Sequence, residues 1–119
     1  MNESSDKYIL LVEDEDAVRL TLRDFLQKKG YKVLVASDGV NAIKQLLDHD
    51  INIIITDYRM QNLGGDYWIK FLDRYCSDKK IIITSGFLKS EFSIPFEVIY
   101  KPFDYFLIAE RIEEFINTK

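Results

Sequence analysis

Two short runs, NIIIT (52–56) and KIIIT (80–84), constrain the fold more than any other feature of the chain. Both are apolar and β-branched at their centre, with no polar alternation. A strand with one face in water alternates apolar and polar residues. A strand covered on both faces does not, and such strands belong to parallel sheets between layers of helices. Three further runs, YILLV (8–12), KVLVA (32–36) and EVIY (97–100), read as strands of the same sheet.

The intervening segments carry a helical period. Val18, Leu22, Phe25 and Leu26 are spaced i, i+4, i+7, i+8. Ile43, Leu46 and Leu47 form a second apolar stripe, Trp68, Phe71, Leu72 and Tyr75 a third, and Ile108, Ile112, Phe115 and Ile116 a fourth. Each reads as one face of an amphipathic helix. Gly30 is expected to end the first helix and Asp104 to cap the last. The segment SGFLKSEFSIPF (85–96) contains Pro95 and has only a weak stripe, so one short helical turn or a loop is expected there. The order β-α-β-α-β-α-β-(short)-β-α implies right-handed crossovers and a doubly wound α/β domain.

At 119 residues the chain fits one domain, and 47% hydrophobic residues can furnish a core. No run is long enough to cross a membrane. Residues 1–7, MNESSDK, lack the apolar stretch of a signal peptide and read as a polar lead-in to a domain over 8–117. Cys76 is the single cysteine, which excludes an intrachain disulfide and fits a cytoplasmic location. A net charge of −4 argues against a nucleic-acid surface.

In open α/β sheets, ligands bind beyond the carboxyl ends of the strands. The first strand ends in Glu13-Asp14-Glu15-Asp16, the third in Asp57, the fourth in Thr84-Ser85-Gly86 and the fifth in Lys101-Pro102. Gathered carboxylates repel one another unless a cation joins them, and a hard divalent ion such as Mg²⁺ suits carboxylate oxygens. An ammonium and a hydroxyl beside them complete a site for a phosphoryl group. Asp57, on a central strand, is the nucleophile candidate. Alone, each residue has a plainer reading: Asp57 a turn residue, Lys101 a surface lysine, EDED a solvated helix start. The set together favours the phosphoryl site. His49, in a loop, is not placed to donate phosphate. Cys76 reads as packing or capping the third helix. Gly64-Gly65 reads as the opening of that helix, without the pattern of a dinucleotide loop.

With LLVEDE, IIITDYRM…GG, IIITSG and YKPF in this order at four strand ends, the chain resembles the receiver domain of two-component response regulators over residues 8 to 117. The resemblance implies a flavodoxin-like fold, a five-stranded parallel sheet of order 2-1-3-4-5. It implies that Asp57 is the phosphoacceptor. Asp14, Asp57 and the backbone carbonyl of Arg59 would bind Mg²⁺, with Glu13 acting through a metal-bound water. Ser85 would bond a phosphoryl oxygen. Thr84 is the alternative, and Ser85 is preferred because Gly86 follows it as in the family. Lys101 would pair with the phosphoryl group, and the Lys101–Pro102 bond would be cis. The phosphoryl donor would be a sensor histidine kinase or a histidine phosphotransfer protein. The domain would catalyse only its own phosphorylation and dephosphorylation. Arg59 and Phe87 would flank the pocket and influence hydrolysis.

Three departures from the family pattern stand out. Gln61 occupies a position where proline is usual. The stretch from Ser85 to Lys101 is short, so a shortened fourth helix is expected. The switch aromatic usually lies three residues before the lysine, where this chain has Val98, while Tyr100 should face away from Lys101. Residues 87–106 also hold Phe87, Phe92, Phe96, Tyr100, Phe103, Tyr105 and Phe106, nearly half of the chain's 8 Phe, 7 Tyr and 1 Trp. Part of that cluster is expected to form a homodimer or effector face. The alternative is a degenerate receiver that only binds proteins. A phosphatase of the haloacid dehalogenase type would need a second acid where Arg59 stands.

Overall fold

A computed structural model describes residues 7–86 and 93–117. Among them, five strands form one parallel sheet of order β2-β1-β3-β4-β5. The strands are β1 (Tyr8–Val12), β2 (Val33–Ala36), β3 (Ile51–Asp57), β4 (Lys80–Ser85) and β5 (Glu97–Tyr100). Ile53, Ile54 and Ile55 are all buried, as are Ile81, Ile82 and Ile83. Consecutive strand residues point to opposite faces, so both faces of the sheet are covered, as the unalternating runs require.

Four helices among the described residues supply the cover: α1 (Asp16–Lys28), α2 (Gly39–Asp48), α3 (Gly65–Tyr75) and α4 (Tyr105–Asn117). On one face Ala42 of α2 and Trp68, Ile69 and Leu72 of α3 pack on Leu10, Val12, Ile54 and Ile83. On the other, Leu22 and Leu26 of α1 and Ile108 and Ile112 of α4 pack on Ile9, Leu11, Ile55 and Ile82. The crossovers from β1 and from β3 run in opposite directions across the sheet. That leaves a crevice between these two neighbours at their carboxyl ends. The sheet carries the expected order 2-1-3-4-5. Of the segment 85–96, where one short helical turn or a loop is expected, residues 87–92 lie outside the described residues, and 93–96 are not helical.

The helix ends follow local chemistry. Gly30 has φ +98 and closes α1. Its N–H bonds the Gln27 carbonyl at 2.9 Å and that of Tyr31 bonds Leu26 at 3.2 Å, the paired bonds of a Schellman motif. Asp104 Oδ1 accepts from the Phe106 N–H at 2.9 Å, the cap expected for the last helix. Asp38 Oδ1 accepts from the Asn41 N–H at 2.8 Å and caps α2. Cys76 is buried as the C-terminal cap of α3, and His49 is an exposed loop residue.

Three stripe residues depart from expectation. Leu47, Tyr75 and Ile116 lie mostly in solvent. Each sits in the last turn of its helix. Ile69 is fully buried instead. β2 begins at Val33, leaving Lys32 exposed, and β3 extends to Ile51 and Asp57.

Two stability predictions arise from these contacts. The Asn41 N–H, with help from the Asn62 amide, holds the Asp38 carboxyl below its ordinary value. A carboxylate depressed on folding stabilises above its unfolded pKa, and that stability is lost as pH falls through the folded value. Asp38→Ala should therefore cost about 1 kcal/mol at neutral pH. Urea unfolding should show the gap to the wild type closing below about pH 4. Trp68, fully buried, donates its indole N–H to Thr56 Oγ1 at 2.9 Å. Trp68→Phe should cost about 1–3 kcal/mol by the same measurement, because the buried hydroxyl loses a partner.

Candidate functional site

The ladder of the sheet continues past the strand ends and sets the rim. The Glu13 N–H bonds the Ala36 carbonyl at 3.0 Å, that of Tyr58 bonds Thr84 at 2.9 Å, and that of Lys101 bonds Ser85 at 2.8 Å. Glu13, Asp57 and Lys101 therefore come from three strands and rise at one edge. The Lys101 ammonium lies 2.8 Å from Glu13 Oε1 and 3.1 Å from Asp57 Oδ2. Glu13 and Asp57 are buried, while Asp14 beside them is exposed. One carboxylate oxygen from each of Glu13, Asp14 and Asp57 lies within 4.8 Å of the other two.

Burial pushes the Asp57 carboxyl above its ordinary value, against the charge of Lys101 and hydrogen bonds from Lys101 and the Arg59 N–H; the charge of Asp14 adds to the rise. Burial likewise raises Glu13, against the hydrogen bond from Lys101, and the charge of Asp57 pushes it further. For Lys101, burial disfavours the ammonium, but the hydrogen bond to Glu13 and the charges of Asp57 and Glu13 outweigh it, and its pKa rises. One ammonium faces three carboxylates. Two like charges about 4 Å apart repel by about 4 kcal/mol at a surface-like dielectric of about 20, so a further cation would relieve the site. The donors are all carboxylate oxygens, which fits Mg²⁺.

Of the other residues expected here, Arg59 is exposed in the loop after β3, and its N–H reaches Asp57. Ser85 is buried at the end of β4, bonded through its carbonyl to Lys101. Thr84, the alternative hydroxyl, is buried and pairs with Asp57 in the ladder. The Lys101–Pro102 bond is cis, and Pro102 is exposed. Phe87 lies outside the described residues. Val98 packs half-buried on the α3 face, and Tyr100 is exposed.

Two supporting arrangements carry no sequence signature. Thr56 Oγ1, which accepts the Trp68 indole N–H, donates in turn to the Asp57 carbonyl at 3.0 Å. Trp68 read only as core. Arg19 donates to the Glu13 carbonyl at 2.8 Å and to Asp16 Oδ1 at 2.5 Å, clamping the acidic turn onto α1. An arginine one turn into a helix that opens with acids looks like any surface ion pair.

Comparison with known proteins agrees with this geometry. The family model described as response regulator receiver domain matches residues 9–113. The sensor kinase CckA of Brucella abortus is 32% identical over 98% of this chain and 13% of its own length. The transcriptional regulatory protein YxdJ of Bacillus subtilis is 26% identical over 92% of this chain and 50% of its own length. The chain thus spans half or less of these curated relatives. Among solved structures, the response regulator TrrA of Thermotoga maritima superposes with a TM-score of 0.79 at 27% identity, covering 91% of this chain and 97% of that one. A family match over nearly the full length, with relatives among both kinases and regulators, means that the chain belongs to the response regulator receiver domains of two-component signalling.

Proposed function

We propose that the protein takes a phosphoryl group onto Asp57, with Mg²⁺, from a phosphohistidine on a sensor kinase or a histidine phosphotransfer protein, and thereby changes its protein contacts. The observation that carries this reading is the Lys101 ammonium held between two buried carboxylates, Glu13 and Asp57, with Asp14 alongside. A rim used only for protein binding would have no need of such costly charges. TrrA, the Thermotoga maritima relative, was crystallised in complex with Mg²⁺-BeF, and the same oxygen chemistry is available here.

Asp14, Asp57 and the Arg59 carbonyl would hold Mg²⁺ directly and Glu13 through a water. The bound ion would neutralise charge around the phosphoryl oxygens. A carboxylate oxygen of Asp57 bonds to phosphorus as the donor's phosphorus–nitrogen bond breaks, and the imidazole leaves with the bonding pair. Lys101, already within hydrogen-bond distance of Asp57, turns its ammonium to a phosphoryl oxygen. Ser85 supplies a hydroxyl to another. An apolar recess beside Lys101, lined by Val18, Pro102, Phe103 and Tyr105, gives the donor protein a surface to rest on. Hydrolysis later frees Asp57.

The new charge of about −1.5 to −2 acts beside the segment 96–106, around β5 and the start of α4, whose aromatic residues differ in burial. Phe96, Phe103 and Tyr105 are half-buried, while Tyr100 and Phe106 are exposed. Tyr100 and Phe106 are the members of the 87–106 cluster that we assign to a homodimer or effector contact; Phe87 and Phe92 lie outside the described residues. No helix among the described residues is long and apolar enough to cross a membrane, and a cytoplasmic site of action fits a kinase donor.

Incubation with acetyl phosphate and Mg²⁺ is expected to give a stoichiometric, acid-stable, base-labile adduct that mass spectrometry detects and that Asp57→Asn abolishes. No adduct under any condition would instead favour a protein-binding module, and repeated turnover of phosphate esters would favour a phosphatase. Replacing Arg59 and Phe87 together by alanine is expected to change the half-life of that adduct, because both would flank the path of the attacking water. An unchanged half-life would remove them from that role.

A further inference from the structure

The loop between β3 and α3 carries the Arg59 carbonyl, and at Gln61 it lacks the ring that would fix its backbone. It is gripped at both ends instead. On the near side Tyr58 is buried, its N–H bonds the Thr84 carbonyl, its carbonyl accepts from the Gly65 N–H at 2.6 Å, and its hydroxyl donates to Asp66 Oδ1 at 2.5 Å. On the far side the grip comes from a distant turn. Asn62 Nδ2 donates to Asp38 Oδ2 at 2.5 Å, and the Gly39 N–H bonds the Leu63 carbonyl at 3.2 Å.

The geometry of both partners suits this junction. Asn62 has φ 67, a left-handed conformation that asparagine tolerates better than most residues. A Cβ at Gly39 would fall 2.5 Å from the Leu63 carbonyl oxygen, so the two turns touch backbone to backbone. A Cβ at Gly64 would fall 2.7 Å from the Met60 N and O, so the loop also closes tightly on itself. Asp38 uses one oxygen to cap α2 and the other to hold Asn62.

We propose that Asp38 and Asn62 are positioning residues: their hydrogen bond holds the β3–α3 loop so that the Arg59 carbonyl stays where the carboxylates of Asp14 and Asp57 need it. The bond does through a side chain what proline would do through its ring. The inference rests on the phosphoacceptor reading and extends it to a pair that touches neither metal nor phosphoryl group. Groups standing behind metal ligands typically change metal affinity by about 10- to 100-fold when removed. For a tether acting through backbone the lower end applies.

The test is Mg²⁺ affinity, measured by calorimetry on the whole chain, for Asn62→Gly, Asp38→Ser and the double variant. Glycine keeps the left-handed backbone and removes the amide. Serine keeps a cap on α2 but is too short to reach Asn62. Each single variant is expected to weaken Mg²⁺ binding about tenfold, and the double variant no further than either, because both remove the same bond. Unchanged affinity in the single variants overturns the proposal, even if their unfolding midpoints fall, since the bond would then be structural only. Additive weakening in the double variant also overturns it. A wild-type chain that binds no Mg²⁺ overturns the phosphoacceptor reading itself, and the proposal with it.

Discussion

In a parallel sheet all strands run out at the same edge, and the residues just past each strand end are brought together whether or not they attract one another. Here that edge receives Glu13, Asp14, Asp57 and Lys101 from β1, β3 and β5. Burial of the isoleucines on both faces of β3 and β4 drives the assembly, at roughly 25 cal/mol per Å² of apolar area removed from water. That favourable term is large enough to carry two carboxylates into a place where burial disfavours their charge. The rest of the rim answers this imposed crowding. Lys101 bridges the acids, the Glu15 N–H caps Glu13 Oε2 at 3.1 Å, and Arg19 ties the acidic turn to α1.

The arrangement is rigid in some directions and open in others. The backbone around Asp57 is fixed by neighbouring strands, by Thr56 and by the Tyr58 contacts. The open side holds Asp14 and Arg59, both exposed. A reacting group needs fixed geometry behind it and access in front, and the division between buried and exposed members of the rim meets that need.

How far the sequence could be read depended on the range of each signal. Strand and helix periods are local, so the five strands were legible to within a residue, and the four helices of the described residues each carry one of the apolar stripes. The acids at the strand ends were legible as well, since a parallel sheet assigns every strand end to one edge. The bonds that escaped join one element or turn to another: Asp38 with Asn62, Thr56 with Trp68, Arg19 with the Glu13 carbonyl. Nothing at either end of such a pair announces its partner. The stripe residues Leu47, Tyr75 and Ile116 failed for a related reason. Periodicity says which face of a helix is apolar and not how far along the helix that face stays covered.

The chain of bonds from the Trp68 indole through Thr56 to the Asp57 carbonyl has an optical consequence. The protein contains 1 tryptophan, fully buried and one hydroxyl away from the backbone of Asp57. Indole emission responds to the field and hydrogen bonding at its N–H. Light at the red edge of the protein's absorption, taken up by indole alone, therefore interrogates a single site, and the chain carries its own unlabelled probe of events at the rim.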